Sequence, residues 1–295
     1  MTVAGLGDVA AGRDGLPDPD GEFVTVEGLR LHYRVIGQGP KAVALHGASG
    51  NLREWRAGPA AALAGRATLL TIDRPGHGFS ERPPGGEDIF LQARLLHAAA
   101  RTLGFDDAPL IGHSLGGSVA LAWAVQHPET VPGLLLISAP SQVWKGGTGL
   151  IYDLAATPGV GTLLVNTLPR LIGDKLIADA LVRIFAPQTA PEGYGEKIAA
   201  KLALRPATAQ ANARDIARLK PRMRRMVRMY DRLTMPIEMI HGEADRTVPL
   251  AIHSEPTAAQ VPSARLTSLP GIGHMPHQVA PQAVVAALEG LLARI

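Results

Sequence analysis

The chain has no cysteine, few aromatic residues and no long apolar run. Without cysteine there are no disulfide bonds, no thiolate metal ligands and no cysteine nucleophile, which is compatible with a reducing compartment. Apolar runs such as AVALHG and GLLLISA have the length of strands, and they fall far short of the ~20 residues that cross a bilayer. We therefore expect a cytoplasmic protein without stable membrane insertion.

Two common ligand-binding patterns are also missing. The histidines are scattered and no H-E-x-x-H motif occurs, so the sequence predicts no metal site. No G-x-x-x-x-G-K-[ST] loop for phosphate groups occurs either. We therefore expect no bound cofactor.

Positive charge is concentrated in one part of the chain. Residues 141–235 contain 15 basic and 7 acidic residues, against 14 and 19 in the rest. A basic stretch without a groove-reading motif or an aromatic platform gives no reason to expect a nucleic-acid partner. A solvated surface, attraction of an anionic substrate and attraction to a membrane surface remain open for these residues, as does the oligomeric state.

Short apolar runs alternate with helical patterns along most of the chain. The predicted strands cover residues 23–26, 29–36, 42–45, 68–72, 110–111, 134–137, 237–240 and 265–269. The predicted helices include residues 89–103, 114–127, 250–260 and 280–295. The first two strands form a hairpin, and most of the others are typical of strands buried on both faces. This pattern predicts the α/β class, with a mainly parallel sheet flanked by helices and a core formed by residues 22–140 and 234–295.

Two segments depart from the alternation. Residues 141–233 contain no convincing strand, and prolines such as Pro158, Pro169 and Pro206 punctuate their helical stretches. We expect an inserted helical cap there. Residues 1–21 lack the apolar core of a signal peptide, and we expect them to form a flexible N-terminal arm.

The stretch PLIGHSLGGSVALAWAV, residues 109–125, places a serine between a predicted strand and a predicted helix. The chain must reverse there within a few residues, and Gly112, Gly116 and Gly117 leave room for strand and helix to approach closely. Such a turn would hold the Ser114 hydroxyl at the carboxyl edge of the sheet, with the helix N-terminus facing any developing negative charge. In this context the pattern G-H-S-L-G resembles the nucleophile elbow of the α/β-hydrolase family.

A serine nucleophile needs a base, and the base needs a group that orients it. The resemblance implies the chain order serine, acid, histidine, and Asp245 in IEMIHGEADRTVP and His274 in LPGIGHMPH follow predicted strands in that order. We therefore expect Ser114, Asp245 and His274 to form a catalytic triad in which His274 moves the proton and Asp245 orients its ring. Glu243 is the alternative acid and His277 the alternative base.

The resemblance extends to the loop ALHGASGN. This loop is similar to the family's HG loop, which implies that the backbone N–H groups of Ala48 and Leu115 form an oxyanion hole. We expect His46 to shape the loop. Ser49 is a candidate for an additional side-chain hydrogen bond.

A further family signature resembles IDRPGHGFSERP, residues 72–83. Asp73, His77 and Ser80 within it have the residue types of a second triad, but the residues before Ser80 supply no strand-to-helix turn. We expect a structural role for this cluster, with Asp73 and Arg74 holding neighbouring loops together.

The sequence also offers candidates for the substrate pocket. His113 lies beside the serine, and Met223 and Met226 lie on an apolar stripe of a predicted inserted helix. Such a stripe either packs in the protein core or lines the substrate pocket, and methionine side chains suit both places.

The resemblance implies a hydrolase, and particular residues narrow its chemistry. Haloalkane dehalogenases and epoxide hydrolases of this family use an aspartate where this chain has Ser114, and the HGGG loop of one lipase and esterase branch is absent. We expect a carboxylesterase that acts on a small, largely apolar ester through an acyl-enzyme on Ser114. Hydrolysis of a thioester, a lactone or a carbon–carbon bond, perhydrolysis, and non-enzymatic binding of a small molecule on the same scaffold remain alternatives.

Overall fold

The structure, a computed structural model, describes residues 16–63 and 65–295. An eight-stranded sheet runs through these residues in the order β1-β2-β4-β3-β5-β6-β7-β8. The strands are β1 Glu22–Val26, β2 Leu29–Gln38, β3 Lys41–Leu45, β4 Ala67–Ile72, β5 Leu110–His113, β6 Leu134–Ile137, β7 Ile237–Gly242 and β8 Ala264–Leu269. The expectation of a flexible arm at residues 1–15 lies outside the described residues.

The first two strands form the predicted hairpin. Glu27, with a φ of +50°, and Gly28, with a φ of +77°, both have left-handed backbone conformations, which is the requirement of a tight two-residue turn of type I′. Val26 pairs with Leu29 across this turn. β2 then pairs antiparallel with β4, and the other neighbouring strands are parallel.

Helices cover both faces of the sheet. They are α1 Arg53–Ala57, α2 Pro59–Leu63, α3 Ile89–Thr102, α4 Leu115–Gln126, α5 Leu150–Ala156, α6 Val160–Phe185, α7 Tyr194–Lys197, α8 Pro206–Val227, α9 Ser254–Gln260, α10 Pro276–Val279 and α11 Pro281–Leu292. Among the described helices, none combines the length and the apolar character that a membrane crossing needs.

The alternation of side chains along β3 explains how both faces are filled. Val43 and Leu45 belong to the core cluster that contains α3 and α4. Ala42 and Ala44, which point to the opposite face, belong to the cluster that contains α11. The predicted α/β architecture, a mainly parallel sheet flanked by helices, is confirmed.

Four helices, α5 to α8, lie between β6 and β7 and are called the inserted helices below. Residues 138–236, all of them described, contain no strand. α8 is the most deeply packed of the four, since Leu219, Met223 and Met226 belong to the core cluster of α3 and α4. α5, in contrast, has no buried residue. The inserted helices therefore consist of one helix fixed in the core and others that lie nearer the surface.

The chain is already fixed to the core at residue 18. Nη2 of Arg53 donates to the backbone oxygen of Asp18 at 2.8 Å. The carboxylate of Asp20 lies 3.2 Å from Nη2 of Arg53 and 2.7 Å from Nη1 of Arg56. Asp18 and Asp20, which the sequence predicted to be part of a flexible arm, are therefore held against α1 by a hydrogen bond and by ion pairs.

Candidate active site

Ser114 lies in a tight turn between β5 and α4. Its φ of +49° and ψ of −126° are unusual for a residue with a side chain. Glycines make the turn possible, because a Cβ on Gly112 would lie 2.5 Å from Cα of Gly117, and a Cβ on Gly116 would lie 2.3 Å from the backbone oxygen of Leu45. The strand, turn and helix that the sequence predicted around this serine are all present.

Ser114, His274 and Asp245 lie in one hydrogen-bonded chain. Oγ of Ser114 is 3.0 Å from Nε2 of His274, and Nδ1 of His274 is 2.7 Å from Oδ2 of Asp245. All three residues are buried. Ser114 follows β5, Asp245 follows β7 and His274 follows β8. The three strands are parallel, so all three residues lie at the carboxyl edge of the sheet. The structure therefore brings together the three residues that the sequence selected.

The hydrogen-bond partners fix which ring nitrogen of His274 carries the proton. The carboxylate of Asp245 can only accept, so Nδ1–H of His274 donates to it, and Nε2 accepts from the hydroxyl of Ser114. Burial lowers the pKa of His274 from its ordinary 6.5, although Asp245 acts in the opposite direction. The imidazole is therefore neutral at neutral pH, which is the state that can take a proton.

Asp245 is held as a carboxylate by its hydrogen-bond donors. Burial alone would raise its pKa, but hydrogen bonds from His241 and His274 outweigh burial and lower the pKa well below its usual range. Nε2 of His241 lies 3.2 Å from Oδ2 of Asp245. The backbone N–H groups of Thr247 and Val248 donate to Oδ1 at 2.8 and 2.9 Å. Asp245 thus stays charged and fixed in orientation.

The loop after β3 approaches the serine closely. A Cβ on Gly47 would lie 3.0 Å from Nδ1 of His113 and 3.2 Å from Cβ of Ser114, so a side chain there would require these neighbours to move. Ala48 and Leu115 line the same cavity as Ser114. Within the described residues, neither of their N–H groups has a backbone hydrogen-bond partner. Two such N–H groups in the lining beside Ser114 keep the predicted oxyanion hole as a candidate.

A cavity of about 660 Å³ extends from Ser114 and His274 into the inserted helices. Most of its wall is apolar. The inserted helices contribute side chains that include Ile151, Leu164, Leu168, Ile177, Ile216 and Leu219. Lys145 and Arg183 also line the cavity, and both are exposed. This arrangement suits a small molecule with a large apolar portion.

Of the three pocket candidates that the sequence suggested, one lines the cavity and two do not. His113 lines the cavity, although its ring is buried. Met223 and Met226 are fully buried in the core, and neither is among the described residues that line the cavity. α8 presents Asn212 and Ile216 to the cavity instead. Of the two places that the sequence left open for Met223 and Met226, the structure shows core packing, and their candidacy for the pocket is not supported.

A buried cluster of Glu54, His113 and His277 lies directly behind the turn of Ser114. Oε1 of Glu54 is 2.8 Å from Nδ1 of His113 and 2.9 Å from Nε2 of His277. Burial would raise the pKa of Glu54, but the two histidines hold it well below its ordinary value. Burial lowers the pKa of His277 to about 4. His277, the alternative base, is therefore engaged with Glu54, whereas His274 contacts the serine.

This cluster also has the donor set of a metal site. One ligand atom from each of Glu54, His113 and His277 lies within 4.8 Å of the other two. Two imidazoles and a carboxylate suit a transition metal such as Zn²⁺. Each imidazole is already at hydrogen-bonding distance from Glu54, and Nε2 of His113 is 3.1 Å from the backbone oxygen of His274. Of the two imidazoles, that of His277 forms a hydrogen bond with Glu54 through Nε2, whereas Nδ1 of His113 lies close to Glu54 without hydrogen-bond geometry.

The signature after β4 has the structural role that the sequence predicted. Oδ2 of Asp73 is 2.7 Å from Nδ1 of His32, and the hydroxyl of Ser80 donates to the backbone oxygen of Asp73 at 2.6 Å. These contacts tie β2 to the loop after β4.

Glu243, the alternative acid, is exposed and accepts a hydrogen bond from Ser268 at 2.8 Å.

Two polar residues near the site were missed from the sequence. Glu54 supports His113 and His277, and Asn212 of α8 accepts a hydrogen bond from the backbone N–H of Ser49 at 2.7 Å. The sequence signal for Glu54 is its place in HGASGNLREW, three residues after the loop that resembles the family's HG loop. Asn212 has no local signal, because its partner is 163 residues away.

Comparisons with known proteins agree on the fold. The sequence profile of a family described as alpha/beta hydrolase fold matches residues 43–281. The chain is 29% identical over 265 residues to 2-hydroxymuconate semialdehyde hydrolase of Pseudomonas putida, with 86% of this chain and 87% of that protein covered.

Solved structures with different activities share this fold. The epoxide hydrolase CorEH aligns with a TM-score of 0.77 and 22% identity, covering 92% of this chain and 98% of its own. A thermophilic esterase from Thermogutta terrifontis aligns with a TM-score of 0.72 and 23% identity, covering 92% and 96%. Since one is an epoxide hydrolase and the other an esterase, the fold alone does not choose the reaction.

Proposed function

Because this chain belongs to the alpha/beta hydrolase fold family, we propose that it is a serine hydrolase that cleaves a carboxylic ester. The observation that carries the proposal is the hydrogen-bonded chain from Ser114 through His274 to Asp245, with distances of 3.0 and 2.7 Å. A neutral imidazole between a hydroxyl and a fixed carboxylate is the arrangement that activates a serine.

The proposed reaction proceeds through an acyl-enzyme. Nε2 of His274 takes the proton of Ser114 as Oγ attacks the ester carbonyl carbon, and Asp245 stabilises the imidazolium that forms. The oxyanion accepts hydrogen bonds from the N–H groups of Ala48 and Leu115. His274 then gives its proton to the departing alcohol oxygen. A water molecule then gives a proton to His274 as its oxygen attacks the acyl carbon. His274 returns this proton to Oγ of Ser114 as the bond between Oγ and the acyl carbon breaks and the acid leaves.

The cavity supports the choice of substrate class. Its volume of about 660 Å³ lies within the range of roughly 300–1,000 Å³ that is usual for small-molecule sites. The apolar side chains of the inserted helices suit an apolar acyl or alcohol group. We propose that residues 141–233 form a cap over the core of residues 22–140 and 234–295, and that this cap excludes water from the acyl-enzyme.

Hydrolysis of a carbon–carbon bond is the second candidate. It is supported by the likeness to 2-hydroxymuconate semialdehyde hydrolase, which extends over most of both chains. The exposed Lys145 and Arg183 in the cavity lining are compatible with a substrate that carries a carboxylate. Both candidate reactions use the same serine, so they differ in substrate and share the proposed site.

Hydrolysis of p-nitrophenyl esters from acetate to decanoate tests the proposal. The wild type should show an optimum acyl length that disappears in Ser114→Ala. Ser138→Ala is the matched control, because Ser138 is a buried serine whose hydroxyl has no hydrogen-bond partner in the described residues. This control should keep wild-type turnover.

A vinylogous diketone substrate and a fluorophosphonate probe complete the test. Turnover of the diketone alone would favour the carbon–carbon reaction. Labelling of Ser114 without turnover of either substrate class would leave a serine hydrolase of another carbonyl substrate, such as a thioester or lactone. The absence of both labelling and turnover would overturn the proposal in favour of a non-enzymatic binding protein.

A further inference from the structure

Two buried polar residues of α8 face the loop that carries Ala48. Asn212 and Asp215 are three positions apart and therefore lie on the same side of the helix. Their exposed fractions are 7% and 0%. Buried polar side chains require hydrogen-bond partners, and the partners of these two lie in the loop of residues 46–50 or directly against it.

Asp215 is linked to the loop through Arg74, which is fully buried. Nη1 of Arg74 donates to Oδ2 of Asp215 at 3.0 Å. On its other side, Nη2 and Nε of Arg74 donate to the backbone oxygens of Gly47 and His46 at 3.1 and 3.0 Å. Oδ1 of Asp215 accepts from Arg82 at 2.8 Å. A planar guanidinium held on both sides forms a rigid connection between α8 and the loop.

This connection fixes the peptide unit that carries the N–H of Ala48. The C=O of Gly47 and the N–H of Ala48 belong to one planar trans peptide, so they point in opposite directions. Because the C=O of Gly47 is directed at Arg74, the N–H of Ala48 points away from Arg74. Nδ1 of His46 also lies 2.9 Å from the oxygen of Gly47. The pair of Arg74 and Asp215 is therefore the contact through which α8 helps to hold the orientation of this donor.

Asn212 fixes the next peptide unit. The N–H of Ser49 donates to Oδ1 of Asn212 at 2.7 Å. Ser49 has a φ of +56°, a conformation that a residue with a side chain adopts only when its surroundings hold it. Since an N–H must meet an acceptor, the amide oxygen of Asn212 faces the loop. The peptide units on both sides of Ala48 are therefore held, directly or through Arg74, by α8.

We propose that Asn212 and Asp215 are positioning residues for the oxyanion hole, and that α8 helps to set the direction of the Ala48 N–H. The inference rests on the proposed serine hydrolase function, because it concerns the donor to the oxyanion of that reaction. It gives the inserted helices a part in transition-state stabilisation in addition to covering the cavity. The oxyanion exists only in the transition state and the intermediate, so a disturbed donor lowers kcat and leaves KM nearly unchanged.

Asn212→Leu tests the inference, because leucine keeps the approximate size of the side chain and removes the acceptor for Ser49. Thr208→Val is the matched control: Thr208 is buried one helical turn earlier on α8, and its side-chain contact is with Arg205 at 3.4 Å. The readouts are kcat and KM on the best p-nitrophenyl ester, and inhibition by an aryl trifluoromethyl ketone, whose serine adduct places an oxyanion in the hole.

We expect kcat of Asn212→Leu to fall about 10- to 100-fold, somewhat less than the roughly 10²- to 10³-fold loss for removal of a donor itself. KM should change by less than about twofold, and the ketone should bind more weakly by the same factor as kcat falls. Thr208→Val should match the wild type in all three quantities.

Other outcomes overturn the inference. Wild-type kcat and ketone affinity in folded Asn212→Leu, or a rise in KM alone, would contradict a positioning role. Equal losses in Thr208→Val would reveal a general effect of packing on α8. If Asn212→Leu does not fold, Asn212→Ser replaces it, since serine is polar but too short to reach Ser49. Ser114→Ala in the same assay separates a failure of this inference from a failure of the proposed function.

Discussion

Oε1 of Glu54 lies 2.8 Å from Nδ1 of His113, the residue immediately before Ser114. The same oxygen lies 2.9 Å from Nε2 of His277, and all three side chains are buried. Nε2 of His113 also lies 3.1 Å from the backbone oxygen of His274. One buried carboxylate therefore supports the turn of the candidate nucleophile and the loop of the candidate base at the same time.

Removal of the charge on Glu54 should destabilise the protein. The lowered pKa of Glu54 means that the folded protein favours its ionised carboxylate. Replacing the carboxylate leaves buried partners unsatisfied at a cost of about 1–3 kcal/mol, so we expect Glu54→Gln to lower the free energy of unfolding by that amount. Urea unfolding at about pH 7, where Glu54 is charged, measures this quantity. Glu243→Gln is the control, because Glu243 is exposed, and its effect should stay within about 0.5 kcal/mol. Equal unfolding midpoints for the two variants would contradict the prediction.

The sheet could be predicted from the sequence because its strands are short apolar runs separated by clear turn residues. Where predicted and observed boundaries differ, long-range pairing is the reason. β5 was expected to end at Ile111, but it continues to His113, which pairs with Ile137 of β6. A glycine and a histidine have no strong strand preference of their own, and the neighbouring strand determines their conformation.

The hydroxyl, the imidazole and the carboxylate of the candidate site could be predicted because each follows a strand in a short family-like motif. Their supporting residues could not. Glu54 and His277 are 223 residues apart, and Ser49 and Asn212 are 163 apart, so no local spacing relates them. Glutamate ordinarily lies on the exposed surface, so the burial of Glu54 could not be expected from its residue type. Its burial is explained only by the partners that the fold places around it.

Ser114, His274 and Asp245 should act as one unit in catalysis. We expect Ser114→Ala to lower kcat by about 10⁴ or more, and the addition of His274→Ala or Asp245→Asn should cause little further loss. Steady-state kinetics of the single and combined variants checks this, with circular dichroism to confirm folding. His277→Gln is the histidine control and should retain far more turnover than His274→Ala. Near-wild-type turnover in His274→Ala would contradict the assignment and direct attention to His277.

Gly116 should tolerate no side chain. Its added Cβ would lie 2.3 Å from the backbone oxygen of Leu45, and backbone at the end of a central strand cannot easily move. We expect Gly116→Ala to lower the free energy of unfolding by about 3 kcal/mol, the upper end of ordinary overpacking. Its kcat should fall as well, because the N–H of Leu115 shifts with the start of α4.

Gly147→Ala is the matched control for this substitution. The nearest atom to its added Cβ is 3.9 Å away, and its backbone is not left-handed. Urea unfolding should therefore place it within about 0.5 kcal/mol of the wild type. A Gly116→Ala protein as stable as Gly147→Ala would show that the close approach of α4 to β3 is not required.

The pH dependence of ester hydrolysis should report the lowered pKa of His274. Attack by Ser114 requires the neutral imidazole, so kcat/KM should rise with pH through the pKa of His274 and then level off. Burial lowers this pKa from 6.5, and Asp245 only partly opposes the shift, so the midpoint of the rise should lie below 6.5. Asp245 stays charged throughout this range, because its own pKa is held far lower, and it should add no second step. Rates measured from about pH 4.5 to 8.5, corrected with Ser114→Ala, give the midpoint. A midpoint above 6.5 would mean that the protonated ring is favoured, which contradicts burial as the dominant influence on His274.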